Sequence, residues 1–173
     1  MFEFFKRWFQ SGQASNETVA AESAPTATAP GTHIHYDPRL VTHLIEDHRR
    51  LEKLFGGIVT ASQARDVDLM TRNLGLFGNA IREHLLTENV RFYVYLQHTG
   101  GAEQAAVVHG FQHEMRGIGK ALTSFLFRHS ERETWDDAAW SEFARELDEI
   151  AQVLTRRIAT EESSLYPLYQ PPG

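Results

Sequence analysis

The chain has 173 residues, with 17 Lys and Arg against 23 Asp and Glu, nine His and no Cys. Without Cys there are no disulfides, thiolate metal sites, Fe–S clusters or cysteine nucleophiles, so a metal can be held only by imidazole and carboxylate, a donor set that suits Fe, Mn or Zn. A net charge of -6 argues against nucleic acid, whose binding needs clustered Lys and Arg. No run approaches the roughly 18 apolar residues of a membrane span, and the length suits one domain plus a tail.

The opening segment, residues 1–10 (MFEFFKRWFQ), lacks a signal-peptide pattern, because Glu3, Lys6 and Arg7 interrupt the apolar run. Helical spacing puts Phe2, Phe5, Trp8 and Phe9 on one face. The segment therefore reads as a short amphipathic aromatic helix that docks on its own domain or on a protein partner. Two cations are few for a membrane anchor, so peripheral membrane association is the weaker use. Residues 11–36 read as a flexible linker, rich in Ser, Thr, Ala, Pro and Gly up to residue 32 and unable to bury enough surface to offset its ordering entropy.

Residues 37–173 carry a helical period throughout, with no convincing strand and no repeat. Asp37 and Pro38 signal the start of a first helix, to about Thr60, with Leu40, Leu44, Leu51, Phe55 and Ile58 on its stripe. The second, from about Val67 to Gln97, aligns Met70, Phe77, Ile81 and Tyr95, and Gly100-Gly101 breaks it. The third, from about Ala102 to Arg128, aligns Val107, Phe111, Ile118, Leu122 and Phe125 despite interior Gly110, Gly117 and Gly119. Thr134 is the expected cap of the fourth, which aligns Phe143, Leu147, Ile150, Leu154 and Leu165 and ends at Pro167. Four long amphipathic helices with short loops predict an all-α, up-down-up-down antiparallel four-helix bundle.

Helical phase at about 100° per residue then sorts the ionisable groups. His48 falls inside the first stripe; His84 and Glu88 are one turn apart on the second; Arg157 and Glu161 are one turn apart on the fourth. A His-x-x-x-Glu pair on a bundle helix converges on one point and is a way to hold a metal. In the third helix His109 and His113 have tempting ligand spacing, but with Ile118 as centre they fall on the opposite face while Glu114 falls inside. Glu114 is therefore the expected inward group, His113 and His109 being the weaker ligand candidates. Arg157, Arg91 and Tyr95 are expected to surround the ligands, Arg91 through a local pair with Glu88. His33, His35, His98 and His129 read as solvated or helix-end residues, and Tyr93 and Tyr166 as packing.

Three segments together carry a resemblance: Asp47-His48-Arg49-Arg50-Leu51, His84-Leu-Leu-Thr-Glu88, and Arg157-Ile-Ala-Thr-Glu161-Glu162-Ser-Ser-Leu-Tyr-Pro167. They resemble the bacterial hemerythrin-like HHE cation-binding domain, over about Asp37 to Tyr169. The resemblance implies a four-helix bundle holding non-haem iron, mono- or dinuclear, with Mn or Zn less favoured. It also implies a cytoplasmic, non-enzymatic role in sensing or buffering iron, O₂ or NO, as in stress responses. His48, His84, Glu88 and Glu161 match ligand positions, whereas Arg157 stands where the family carries a His. Three inward Glu against Arg157 leave a deficit that one divalent cation cancels. Protons on His48 and His84 cancel it equally, giving a metal-free ionic core and a protein-binding regulatory adaptor instead.

Overall fold

The computed structural model describes residues 28, 29 and 31–172, so the aromatic segment 1–10 and most of the linker lie outside the described residues. From residue 40 onward the chain is helical: α1 Leu40–Gln63, α2 Val67–Thr87, a π-helical segment π1 Glu88–Tyr93, α3 Val94–Thr99, α4 Ala102–Ser130, α5 Asp137–Thr160, a second π-helical segment π2 Glu161–Leu165, and a closing 3₁₀ turn Tyr166–Leu168. Because α2, π1 and α3 run on without a break, as do α5, π2 and the 3₁₀ turn, four rods pack as an all-α four-helix bundle. Extended pairing among the described residues is limited to an isolated bridge between Thr28 and His35. No described helix is long and apolar enough to cross a membrane.

Helix starts follow carboxylate caps. Asp66 caps α2 by accepting from the Leu69 amide, and Asp136, not Thr134, caps α5 by accepting from the Ala139 amide at 2.8 Å. Asp136 prevails because a charged acceptor answers the helix dipole better than a hydroxyl and because its neighbour Trp135 reaches across to Trp140, ring centroids 4.5 Å apart, as a hydrophobic staple. At the first helix, Asp37 and Pro38 form a turn ahead of Leu40, in which Asp37 accepts from the Arg39 amide. Pro167 sits within the closing 3₁₀ turn.

The apolar interior is split in two. One cluster joins Leu51, Phe55 and Ile58 of α1 to Phe77 and Ile81 of α2, Leu122 and Phe125 of α4, and Phe143, Leu147 and Leu154 of α5. The other joins Leu40 and Leu44 to Phe92, Tyr93, Tyr95, Leu96, Val108, Leu165, Tyr166 and Tyr169. Between them lies a layer of buried polar groups: His48, His84, Glu88, Arg157 and Glu161.

The third rod is rotated relative to the expected stripe. Its buried face is Val108, Met115, Leu122, Phe125 and His129, while Val107 is exposed and Phe111 and Ile118 lie on the margins. Positions 108, 115, 122 and 129 recur every seven residues; choosing Ile118 as centre displaces the phase by about 60° from Met115. His129 is thereby fully buried rather than solvated at a helix end. It packs against Phe125, Trp135 and Phe143, and its Nε2 lies 2.8 Å from the Glu146 carboxylate. Burial disfavours the imidazolium and, although Glu146 opposes this, holds the His129 pKa below its ordinary value.

Two outcomes are expected in urea unfolding followed by circular dichroism. Asp136→Ala should cost about 0.5–2 kcal/mol through loss of the α5 cap, and Phe143→Ala about 3–5 kcal/mol through the cavity it leaves. The unfolded chain protonates its histidines near about pH 6.5 while folded His129 resists, so this residue makes stability fall as pH drops below that value. Stability curves of His129→Gln should therefore be flatter than wild type between about pH 7 and pH 5.

Candidate metal centre

Each rod except the third delivers ionisable groups to the central layer, and does so by helical spacing alone. His48 stands between Leu44 and Leu51 on α1; His84 and Glu88 follow Ile81; Arg157 and Glu161 follow Leu154. One ligand atom each from His48, His84 and Glu161 lies within 4.8 Å of the others, and all three residues are buried. The two imidazole rings are 4.8 Å apart, centroid to centroid. Glu88 is fully buried; its Oε2 is 3.9 Å from His84 Nε2 and has no hydrogen-bond partner.

Carboxylates outside the layer aim the imidazoles. His48 Nδ1 donates to Glu162 Oε1 at 2.9 Å, which turns Nε2 inward, 3.2 Å from Glu161 Oε2. Asp47 Oδ2 lies 3.6 Å from His84 Nδ1, too far for a hydrogen bond but close enough for the imidazole to hold the Asp47 carboxyl below its usual range. An imidazole with a carboxylate behind it and a bare nitrogen ahead is the arrangement that fixes tautomer and direction in histidine metal ligands.

Arg157 occupies the opposite side of Glu161. Its Nε donates to Glu161 Oε1 at 2.5 Å, one terminal nitrogen to Glu114 Oε2 at 3.1 Å and the other to the Tyr93 hydroxyl at 2.9 Å. Phe111 of α4 covers the guanidinium, 5.0 Å from ring centroid to Cζ. Glu161 therefore divides its oxygens between a fixed cation and the His48 side. Burial would raise its pKa, yet His48 and Arg157 outweigh it and hold Glu161 below the usual range. Burial likewise opposes the charged form of His48, but the paired Glu161 and Glu162 raise it to about 9. Glu88 has no such cation: burial, then repulsion from Glu161, pushes it up to about 7.

Several expectations need correction. Glu114 does not enter the layer: its side chain is 64 % exposed and reaches Arg157 from the rim. It stands about 100° from Met115, the residue that α4 turns inward at this level, so the third rod supplies an apolar wall rather than a ligand. Arg91 pairs with Asp37 at 2.6 Å on the outside, not with Glu88. Tyr95 is buried in the second cluster and donates to the Gln170 carbonyl at 2.7 Å, remote from the layer. His109 and His113 are exposed on α4.

Two tyrosines join the site that had read as packing. Tyr93 ends π1, which Glu88 opens, and Tyr166 directly follows π2, which Glu161 opens; each tyrosine is five residues after its glutamate. At the α-helical rate five residues turn about 140° away, but an i→i+5 turn stacks the fifth residue back over the first. Tyr166 consequently donates to Glu88 Oε1 at 3.0 Å and lies 3.2 Å from His48 Nε2. Burial, then the nearby carboxylates, raises the pKa of both hydroxyls, so each keeps its proton. The repeated Glu-x-x-x-x-Tyr spacing was the available signal for the tyrosines; for Asp47 and Glu162 it was adjacency to His48 and Glu161.

The donor set fits one metal ion. Glu88 Oε2 is buried in the layer without a hydrogen-bond partner, 3.9 Å from His84 Nε2, which is costly there and would be relieved by an ion. Next to the layer is a cavity of about 30 Å³, lined by Leu51, Phe55, Phe77, Ile81, Met115 and Leu154. Among the described residues one such buried His/Glu group is found, and the guanidinium of Arg157 already pairs with Glu161 Oε1.

Searches of curated proteins and of solved structures return no significant match. The family model described as the hemerythrin HHE cation-binding domain matches residues 39–169, nearly all of the helical part of the chain. With the bundle and the buried His/Glu cluster in place, the chain belongs to the hemerythrin HHE cation-binding domain family.

Proposed function

We propose that this protein binds a single non-haem iron ion through His48, His84, Glu88 and Glu161, and that it senses or buffers iron, O₂ or NO rather than turning over a substrate. The observation that carries the reading is the convergence of His48, His84 and Glu161 within 4.8 Å in a closed layer. Nitrogen and carboxylate donors without sulfur favour iron among the redox metals. Iron would supply redox chemistry and an affinity for diatomic gases. Glu162 holds the His48 ring, Asp47 stands behind the His84 ring, and Arg157 holds Glu161. The cavity of about 30 Å³ beside the ligands, walled by Leu51, Phe55 and Phe77 as well as by His48 and Glu161, has room for a diatomic molecule.

Charge supports one ion over two. Within the layer Glu88 and Glu161 against Arg157 leave one negative charge, so a second divalent ion adds far more uncompensated charge than the first. The competing reading, a metal-free adaptor, draws on the same contacts: protonated His48 already bridges Glu161 and Glu162, so ion pairing is partly closed without metal. Iron displaces that proton from Nε2.

We further assign residues 1–10 to partner binding, 11–36 to a linker and 37–173 to the bundle, in a cytoplasmic protein. Because Ala29 is buried in the second apolar cluster, the deletion stops short of it: removing residues 1–27 should leave the thermal melt unchanged while abolishing capture of that partner, and an unaffected interaction removes the assignment.

Anaerobic titration with Fe(II), with bound iron measured after desalting, should saturate at about one ion per chain. Glu162→Ala should weaken affinity about 10–100-fold by releasing the His48 ring. Protein that stays iron-free under these conditions overturns the iron reading in favour of the adaptor. In the metal-free state Arg157→Ala should cost about 3–5 kcal/mol because it strands buried Glu161, whereas exposed Glu114→Ala should cost less than about 1 kcal/mol. Arg157→His, which replaces the fixed cation with a nitrogen donor, should raise the iron stoichiometry above that of wild type.

A further inference from the structure

We infer that Tyr166 is itself a ligand of the iron, binding as phenolate when the metal is ferric. The inference rests on the iron-binding reading above and adds a fifth donor to it. Tyr166 is 3 % exposed, and the partners of its hydroxyl are two of the proposed ligands, Glu88 Oε1 at 3.0 Å and His48 Nε2 at 3.2 Å. Donors bonded at about 2.1 Å to a common ion and at right angles to one another stand about 3 Å apart. The Tyr166 oxygen therefore sits where a neighbouring vertex of the same coordination shell would be.

Its placement depends on backbone geometry and not on packing alone. Tyr166 follows the π2 segment, and without that i→i+5 turn the residue would face away from Glu161. Its ring is clamped, stacked on His48 with an interplanar angle of 13° and edge-on to Phe92 at 5.2 Å. The oxygen is thus aimed at the layer before any ion arrives. Tyr93, the matching residue of π1, is engaged differently: its hydroxyl accepts from Arg157 and serves the fixed cation.

As iron gives its electron to a one-electron oxidant such as ferricyanide, the Tyr166 hydroxyl releases its proton to solvent and its oxygen lone pair forms the bond to iron, so one electron and one proton leave together.

The test uses the full chain, loaded anaerobically with one equivalent of Fe(II) and oxidised with ferricyanide. Wild type should develop a visible phenolate-to-iron(III) absorption band, with tyrosine ring modes enhanced in resonance Raman spectra excited in that band. Tyr166→Phe keeps the ring and should take up iron while losing the band completely; Tyr93→Phe should keep it. Iron-loaded wild type without the band, or a band that survives Tyr166→Phe, overturns Tyr166 as a ligand and leaves iron binding standing. Failure of the chain to take up iron overturns the iron reading and the tyrosine ligand with it. Should Tyr166→Phe not fold, the presence or absence of tyrosine modes in the wild-type spectrum decides alone.

Discussion

Two carboxylates buried in the middle of a helical bundle must be compensated, and the form of that compensation shapes the rest of the molecule. Glu88 and Glu161 are 0 % and 2 % exposed. An ionised carboxylate without a partner at such a depth costs several kcal/mol, more than any single apolar contact returns. Glu161 meets the cost with Arg157 on one side and His48 on the other. Glu88 accepts only from the Tyr166 hydroxyl, with His84 Nε2 3.9 Å from an oxygen that has no hydrogen bond, and burial with repulsion from Glu161 pushes its pKa up. An ion-binding layer is the natural product of this asymmetry: one carboxylate is satisfied by a resident cation, the other awaits one.

The layer also explains why the apolar interior comes in two pieces. Every helix that contributes to it changes from apolar to polar and back within about two to three turns, as in Leu44, His48, Leu51 or Leu154, Arg157, Glu161, Leu165. Flanking apolar clusters exclude water, which strengthens each electrostatic contact inside and raises the cost of leaving any group unpaired. Both carboxylates occupy the first position of a π-helical segment. Such segments give up good hydrogen-bond geometry and persist where the displaced side chains do something. Here they return Tyr93 and Tyr166 to the layer, one to Arg157 and the other to Glu88 and His48.

The third rod plays another part. It brings Met115 and Phe111 against the layer as walls and sends Glu114 in from the edge only as far as the guanidinium. At its far end His129 offers a comparison with His48. Both are buried imidazoles beside carboxylates, yet two carboxylates raise His48 to about 9 while burial prevails over a single one at His129 and lowers it. Burial opposes the charge at both; two carboxylates outweigh it at His48, whereas at His129 one carboxylate is outweighed by burial together with Arg132 and Arg128.

Much of the fold was legible from spacing, because an amphipathic helix records its buried face in its period. The stripes of the first, second and fourth helices, the inward positions of His48, His84, Glu88, Arg157 and Glu161, and the four-helix bundle all follow from residues three and four apart. Period alone could not place the third helix, whose glycines and margin residues dilute the signal, and so it misplaced Glu114 and His129. Nor could it see Tyr166 and Tyr93, since the α-helical rate assigns them outward and only the π turns bring them back. The outer carboxylates Asp47 and Glu162 lie off the stripe and reach the imidazoles by side-chain length. The amino-acid sequence by itself determined which helix faces meet, because burial of apolar surface is additive and local. The tertiary structure decided which polar groups touch, because hydrogen bonds and ion pairs depend on tenths of an ångström that only the packed bundle specifies.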